Sequence, residues 1–439
     1  MFSSTLKKIL IIIDLVALIC ILIFSINRDI QLEKQYPGDL RNRVVGARLQ
    51  QDGKSPYFYK WKREDGYRYL DPQNSDSLKV SNITASPFFH DLLFPVCNLS
   101  QRTISLIQFC LQYVMLIVIT VAFICLSKNI LSRWAILNTS VIFTCTQAWK
   151  MLIADGQMYL FVAFGMTAFI FGILQDKKSF RLWIASLAAV ILVLIRPIAF
   201  VIFIPYVLIF EKSKKFVITS AAIFVLYSVF VLFSRHEKEY WMDYYHALKE
   251  EVKLHQDDHP TTQLNEKVPK PASLEGFNFY EVSKNQQEHP ITVYSENGNF
   301  FVLFEKLTHK KISVRSLTLL WIAATVILCL LMYIKRNQME QWQIALFCLL
   351  LYMLAELLSP IHRHQYNTIQ WLPMLLLSCT FIEFIPRWLI ACLIVGLILN
   401  IFNFTFLLMR HTLGEYVWLI SLFLIGFRKQ MNKPAWKLQ

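Results

Sequence analysis

The chain has 439 residues, 55% of them hydrophobic and only 17% charged, with a mean hydropathy of +0.43. This excludes a water-soluble globule, since no interior of that size hides so much apolar surface, and the length is better counted in apolar runs of roughly 15–25 residues, the thickness of a bilayer core. The formal net charge of +14 does not point to nucleic acid, because Lys and Arg stand in short clusters between apolar runs instead of forming one basic face with interleaved aromatics.

In chain order, Lys7 and Lys8 precede the first apolar run, 9–26. It resembles a signal peptide but lacks a small-residue cleavage site and carries Asp14, so it reads as a retained first span. Further runs at 104–126, 134–150, 157–175, 182–195, 197–210, 216–234, 316–334, 342–358, 367–384, 388–409 and 414–427 predict an all-α polytopic membrane protein with about 12 transmembrane helices. Lys7/Lys8, Lys128/Arg133, Lys177/Lys178/Arg181, Lys212/Lys214/Lys215, Lys335/Arg336, Arg387 and the basic tail after Arg428 then share one face, which is cytoplasmic and holds both termini. That arrangement requires residues 182–210, too few for two full spans, to form a hairpin of short helices broken at Arg196-Pro197. A single tilted helix there is the rival and would invert everything downstream.

Three parts follow: an N-terminal transmembrane module at 1–235 with a first outer loop at 27–103, a second large outer loop at 236–315, and a C-terminal transmembrane module at 316–439. Long loops in such a chain usually carry function. In the first, Asp39–Gln51 and Phe88–Val96 read as amphipathic helices lying in the interface plane, and the second opens with the aromatic set Tyr240-Trp241-Met242-Asp243-Tyr244-Tyr245, suited to headgroup level. Eight of nine cysteines lie in apolar runs, leaving Cys97 alone in a polar loop and no disulfide framework. His255, Asp257, Asp258 and His259 have metal-ligand residue types, but their polar surroundings favour a solvated turn, and no metal is expected. Asn82-Ile-Thr84 and Asn98-Leu-Ser100 are glycosylation triplets of a kind that arises by chance. No phosphate-cradling glycine loop supports nucleotide-sugar use.

Several short runs share an order and a membrane side with a known family. They are Gly38-Asp39-Leu40, Gly53-Lys54-Ser55-Pro56-Tyr57, Ala85-Ser86-Pro87-Phe88-Phe89 and Leu93-Phe94-Pro95 in the first outer loop, then Gly156-Gln157, Arg196-Pro197, Ser359-Pro360, His364-Gln365-Tyr366 and Leu372-Pro373. Over roughly residues 10–385 the set resembles polyprenyl-phosphate-sugar-dependent glycosyltransferases, most narrowly glycosyltransferase family 87, which includes mycobacterial mannosyltransferases. The chain departs from the pattern with arginine where lysine is commoner before the proline, and with His362-Arg363 ahead of His364; the second outer loop has no match.

The resemblance implies a C-type (GT-C) bundle whose first outer loop bears an acidic residue at the membrane surface, and an enzyme that moves a hexose from a polyprenyl-phosphate donor to a hydroxyl of a lipid or glycan acceptor, usually with inversion. Such transfer needs a base, and Asp39 is the candidate; its alternative role is a helix N-cap. Asp29, Asp52 and Asp91 are the other carboxylates, each a solvated loop residue by default. The leaving phosphate needs fixed donors, for which Arg196, Arg363 and His364 are candidates, against a snorkelling arginine and an interfacial histidine. Gln157, Tyr366 and Tyr57 complete the candidate substrate-binding set. Asp14 and Glu356, within apolar runs, require partners or protonation. The expected partners are the membrane, the lipid-linked donor and the acceptor, with no further cofactor and no nucleic acid. The expected setting is a bacterial inner membrane with a periplasmic site, an endoplasmic reticulum membrane with a lumenal site sharing the same arrangement. A polymerase or ligase of lipid-linked glycans is the second class, and a transporter the third.

Overall fold

A computed structural model describes residues 4–34, 38–71, 81, 83–174, 179–254, 273–275, 277–278, 298–402, 404, 407 and 409–428. The His255–His259 segment and Asn82 lie outside the described residues. Among the described residues the fold is helical, apart from the two-residue strands β1 (Ser273–Leu274) and β2 (Phe277–Asn278), which pair antiparallel. In the N-terminal part, α1 (Ser4–Lys34), α2 (Gly38–Gln51) and α3 (Pro87–Leu93) precede α4 (Gln101–Leu126), α5 (Ile130–Phe143), α6 (Gln147–Ala154), α7 (Tyr159–Leu174) and α8 (Ser179–Ile195). A 3-10 segment, Pro197–Phe203, leads into α9 (Ile204–Leu208), α10 (Phe210–Phe233) and α11 (Arg235–Leu254). After the second loop come α12 (Phe300–Thr308), α13 (Val314–Lys335), α14 (Gln341–Leu357), α15 (Leu372–Thr380), α16 (Arg387–Ile401) and α17 (Arg410–Gly426).

Among the described residues, four helical stretches are long and apolar enough to cross a bilayer: Ile9–Lys34, Gln101–Leu126, Ser213–Phe233 and Val314–Lys335. The pair α6 and α7, bent by 117° at residues 155–158, makes a fifth if counted as one broken span. Three of the four are only 11% buried in their apolar window, leaving Phe24, Leu226, Phe233 and Ile334 uncovered by protein. Apolar surface on that scale is stable only against lipid. Of the shorter apolar helices, α14 fills the interior, whereas α5 and α16 each bury only a few residues. α14 is buried along its whole length, which explains why its sequence is apolar all round instead of showing one apolar stripe. The helix break expected at Arg196-Pro197 is present: Ile195 ends α8, and Pro197 opens the 3-10 segment because its ring cannot continue an α-helix.

The outer loops differ from expectation in a consistent way: what was read as lying in the interface is packed protein. α2 buries residues around its whole circumference, including Arg41, Asn42, Arg48 and Gln50, so it has no solvent face of the sort an interfacial helix keeps. Its apolar residues Val45 and Leu49 join Tyr57, Trp61 and Tyr69, while Tyr240 and Tyr244 of α11 complete that cluster from the second loop. The aromatic set of α11 thus ties one loop to the other. α1 runs beyond its apolar stretch to Lys34, because its polar end finds partners inside the protein. Asp29, expected in a solvated loop, is fully buried, bridged by Arg28 at 2.6 Å, Trp149 Nε1 at 2.6 Å and the Tyr113 hydroxyl at 2.7 Å. Asp14 and Glu356 have the partners their positions require, Asn138 Nδ2 at 3.0 Å and Arg196 at 2.7 Å. All nine cysteines are free, and Cys97, the one outside the apolar runs, is buried.

Candidate active site

Asp39 sits in the first turn of α2, partly exposed. The helix begins one residue earlier, at Gly38, and the carboxylate does not serve as its N-cap; among the described residues it accepts hydrogen bonds from Gln157 Nε2 and the Tyr366 hydroxyl. Gln157 reaches it because of how α6 ends. Gly156 takes φ = 66°, a left-handed conformation in which a side chain would be strained, while Gln157 N donates to Leu152 O (2.9 Å) and Gly156 N to Ile153 O (3.3 Å). This glycine-terminated closure bends the chain into α7 and leaves Gln157 pointing toward α2. Gln108 and Gln112, one turn apart on α4, hold the Gln157 carbonyl at 3.1 and 3.0 Å, and Leu40 N donates to Asp155 O at 3.2 Å.

Arg43 completes the group from one turn further along α2. Its Nη1 donates to the Asp39 carbonyl (2.6 Å) and its Nη2 to Gln157 Oε1 (2.7 Å), so the same amide that donates to the carboxylate accepts from the guanidinium. Burial raises the Asp39 carboxyl above its ordinary value, against the Arg43 charge and the bonds from Tyr366 and Gln157, and the net shift is upward. Burial, and next the Asp39 charge, push the Tyr366 hydroxyl well up, so it stays protonated and donates. A partly exposed carboxyl with a raised proton affinity and fixed donors around it suits a general base.

Tyr366 is also the middle of a ladder of rings. His362, His364 and Tyr366 alternate along backbone that is extended at His364, so their rings fall on one side. They stack at 3.9 Å (His362 on His364) and 4.7 Å (His364 on Tyr366), and Tyr366 stacks on Tyr159 at 5.2 Å. Beyond Tyr159 lies Arg196, its guanidinium 5.3 Å from that ring centre, donating to the Tyr159 hydroxyl at 3.1 Å and bidentately to Glu356 at 2.7 and 2.8 Å. The Arg196 side chain remains 28% exposed.

The expected residues Asp39, Gln157, Arg196, His364 and Tyr366 therefore converge through direct contacts, although they span more than three hundred positions of sequence. Arg363 is placed beside them but faces the other way, ion-paired with the buried Glu415, which also accepts from Thr368. Tyr57 lies elsewhere, in the packing between the outer loops, with its hydroxyl on Ala85 O (2.7 Å) and its ring near Tyr244 (5.7 Å). Sequence reasoning did not single out Arg43, Tyr159 or His362. The i,i+4 spacing from Asp39 and the alternation before Tyr366 were the available signals. No group of three or more metal-ligating side chains exists among the described residues.

A further contribution comes from the second loop. Glu275 bonds Arg41 at 3.0 Å and Arg48 at 3.0 and 3.1 Å, and accepts from Gln101 N at 3.0 Å. Two arginines on α2 are thereby anchored to α4 and to the second loop, which sets where Asp39 stands.

Fold and apolar helices define a multi-pass helical membrane protein in which the Asp39 carboxyl is held by Gln157 and Tyr366 with Arg43 beside it. Residues 86–276 match the family model of glycosyltransferase family 87, which bears out the resemblance from α3 to α10 and corrects the expectation that the second loop has no match, since the stretch continues through α11 to just past Glu275. No curated protein and no solved structure matches the chain. The family match and the apolar helices together support a membrane glycosyltransferase, with sugar or glycan substrates.

Proposed function

We propose that the protein transfers a hexose from a polyprenyl-phosphate donor to a hydroxyl of a lipid or glycan acceptor on the non-cytoplasmic face of its membrane, with inversion. Asp39 removes the proton of the attacking hydroxyl as the new glycosidic bond forms. Arg196, beyond Tyr159, and His364, stacked on Tyr366, present donors to the departing lipid phosphate, and Gln157 and Tyr366 orient the base. The observation that carries this reading is the carboxyl of Asp39, raised in proton affinity and held by Gln157 and by Tyr366, whose ring stacks on both His364 and Tyr159. The short apolar helices around the site suit an entry from the bilayer. A bacterial inner membrane with a periplasmic site is the setting this reading favours.

The test incubates purified protein with radiolabelled polyprenyl-phosphate hexoses and a membrane lipid extract. Wild type transfers label, Asp39→Asn loses on the order of 10²–10⁴ in rate, as loss of a general base does, and His364→Ala is also slowed. Transfer undiminished by Asp39→Asn removes the assigned base.

A further inference from the structure

His364 also lines a cavity of about 200 Å³. Its walls include Lys306 of α12, Arg363 and His364, and Arg410, His411 and Glu415 of α17. Glu415 is the one acidic side chain among the described lining residues, and Arg363 already pairs with it. The charges of Lys306 and Arg410 therefore have no counter-charge on the cavity wall.

Two independent features make this a built site. The first is the start of α17: Met409 precedes the helix in a left-handed conformation (φ = 48°) and supplies no side-chain cap, so the first-turn N–H groups beside the cavity lack the partner an N-cap usually provides. The second is His411, only 8% exposed, with neither ring nitrogen hydrogen-bonded among the described residues. A buried imidazole without partners is costly unless a ligand completes it. Gly298 lets the chain pass closely here; a Cβ on it would lie 3.3 Å from Thr412 Oγ1 and 3.4 Å from Arg363 Nη1.

We propose that this cavity is an anion subsite for the phosphate of a lipid substrate, bound by Lys306, Arg410, His411 and the N-terminus of α17. Uncapped helix N-termini bordered by basic side chains bind phosphate oxygens through N–H groups and the helix dipole. At about 200 Å³ the space is below the roughly 300–1,000 Å³ of a pocket for a drug-sized ligand, so it takes a headgroup and leaves the lipid chain outside. His364 is shared, lining this cavity and stacking on Tyr366, which links the subsite through one ring to the residue that donates to Asp39. The phosphate's role in the reaction rests on the glycosyl-transfer reading; its binding does not.

Full-length protein in detergent micelles, titrated with farnesyl phosphate and with farnesol, tests this. Wild type is expected to prefer the phosphate by roughly tenfold or more, the scale of charge-assisted hydrogen bonds. Lys306→Gln and His411→Gln are each expected to lower that preference severalfold at unchanged farnesol affinity; Lys306 is half-buried, so its variant reads out even if His411→Gln folds poorly. Competition by phosphatidylglycerol assigns the subsite to a phospholipid acceptor, competition by inorganic phosphate alone to free phosphate, and selectivity for the isoprenoid phosphate to the donor's carrier. Wild-type preference retained in both variants overturns the proposal. Phosphate preference without sugar transfer from any donor sinks the transferase reading and leaves the subsite, whereas transfer by a protein that does not distinguish farnesyl phosphate from farnesol sinks the subsite alone.

Discussion

Glu275→Gln probes how a residue far along the second loop holds the helix that carries Asp39. The guanidinium-bearing side chains it pairs with are 0% exposed at Arg41 and 4% at Arg48, while its own side chain is 22% exposed. Leaving a buried charge without its counter-ion costs about 3–5 kcal/mol. Here the lower end, about 3 kcal/mol, is expected. Arg41 keeps the carbonyls of Leu70 (2.8 Å) and Tyr67 (2.5 Å), and Arg48 keeps those of Cys97 (2.7 Å), Leu99 (3.0 Å) and Arg68 (3.1 Å). The amide preserves shape and one acceptor, so the loss reports charge. Burial alone would raise the Glu275 carboxyl, but the bond from Arg48 and the charges of Arg41 and Arg48 hold it below its ordinary value. A depressed carboxyl stabilises the fold above its unfolded-state value of about 4.5, and that contribution is lost as pH falls through the depressed value. Thermal unfolding of the full-length protein in detergent should therefore show a clear deficit for Glu275→Gln at pH 7 that closes in acid. Sugar transfer should fall too, without a change in the pH at which Asp39 titrates. Equal melting temperatures at pH 7 would refute the argument that Glu275 anchors α2 through charge.

Arg43→Gln removes the cation that opposes the upward shift of Asp39; the acidic limb of the rate–pH profile should move to higher pH, and an unmoved limb would dissociate Arg43 from the base. Asp91, pushed up to about 7 by burial and then by Glu237, binds its proton more tightly folded than unfolded. That contribution is complete below about 4 and lost as pH rises through about 7, so melting temperatures should decline over that window in wild type and less in Asp91→Asn. Gly396→Ala places a Cβ 2.3 Å from Trp418 Nε1, where α16 packs on α17; overpacking of this sort costs about 1–3 kcal/mol, and an unchanged melting temperature would show that the helix pair opens freely.

The apolar runs were legible because lipid imposes length and composition on each segment, but among the described residues only four, or five with the bent pair, are long and apolar enough to cross a bilayer, against the dozen expected. Expected span 134–150 is broken into α5 and α6, and 367–384 into the 3-10 segment Gln365–Trp371, α15 and a second 3-10 turn at Ile382–Phe384, and no hydropathy signal distinguishes such runs from unbroken ones. Asp39, Gln157, His364 and Tyr366 were legible through their resemblance to a family, since each stands in a short motif of its pattern. Arg43 was hidden by its ordinariness: one arginine among several on a helix that looked amphipathic. Tyr57 shared a motif with the site, but its ring was needed in the packing between the two outer loops.

Composition and basic-residue placement decided that this chain lives in a membrane and where its polar loops fall, because transfer of apolar residues into lipid depends on each segment nearly by itself. Only the tertiary structure decided which polar residues meet. Whether Asp29 is solvated or bridged by three donors, whether α2 lies on the membrane or inside protein, and whether Glu275 reaches Arg41 and Arg48 depend on contacts between segments as far as 234 positions apart, and such contacts leave no periodicity in the sequence.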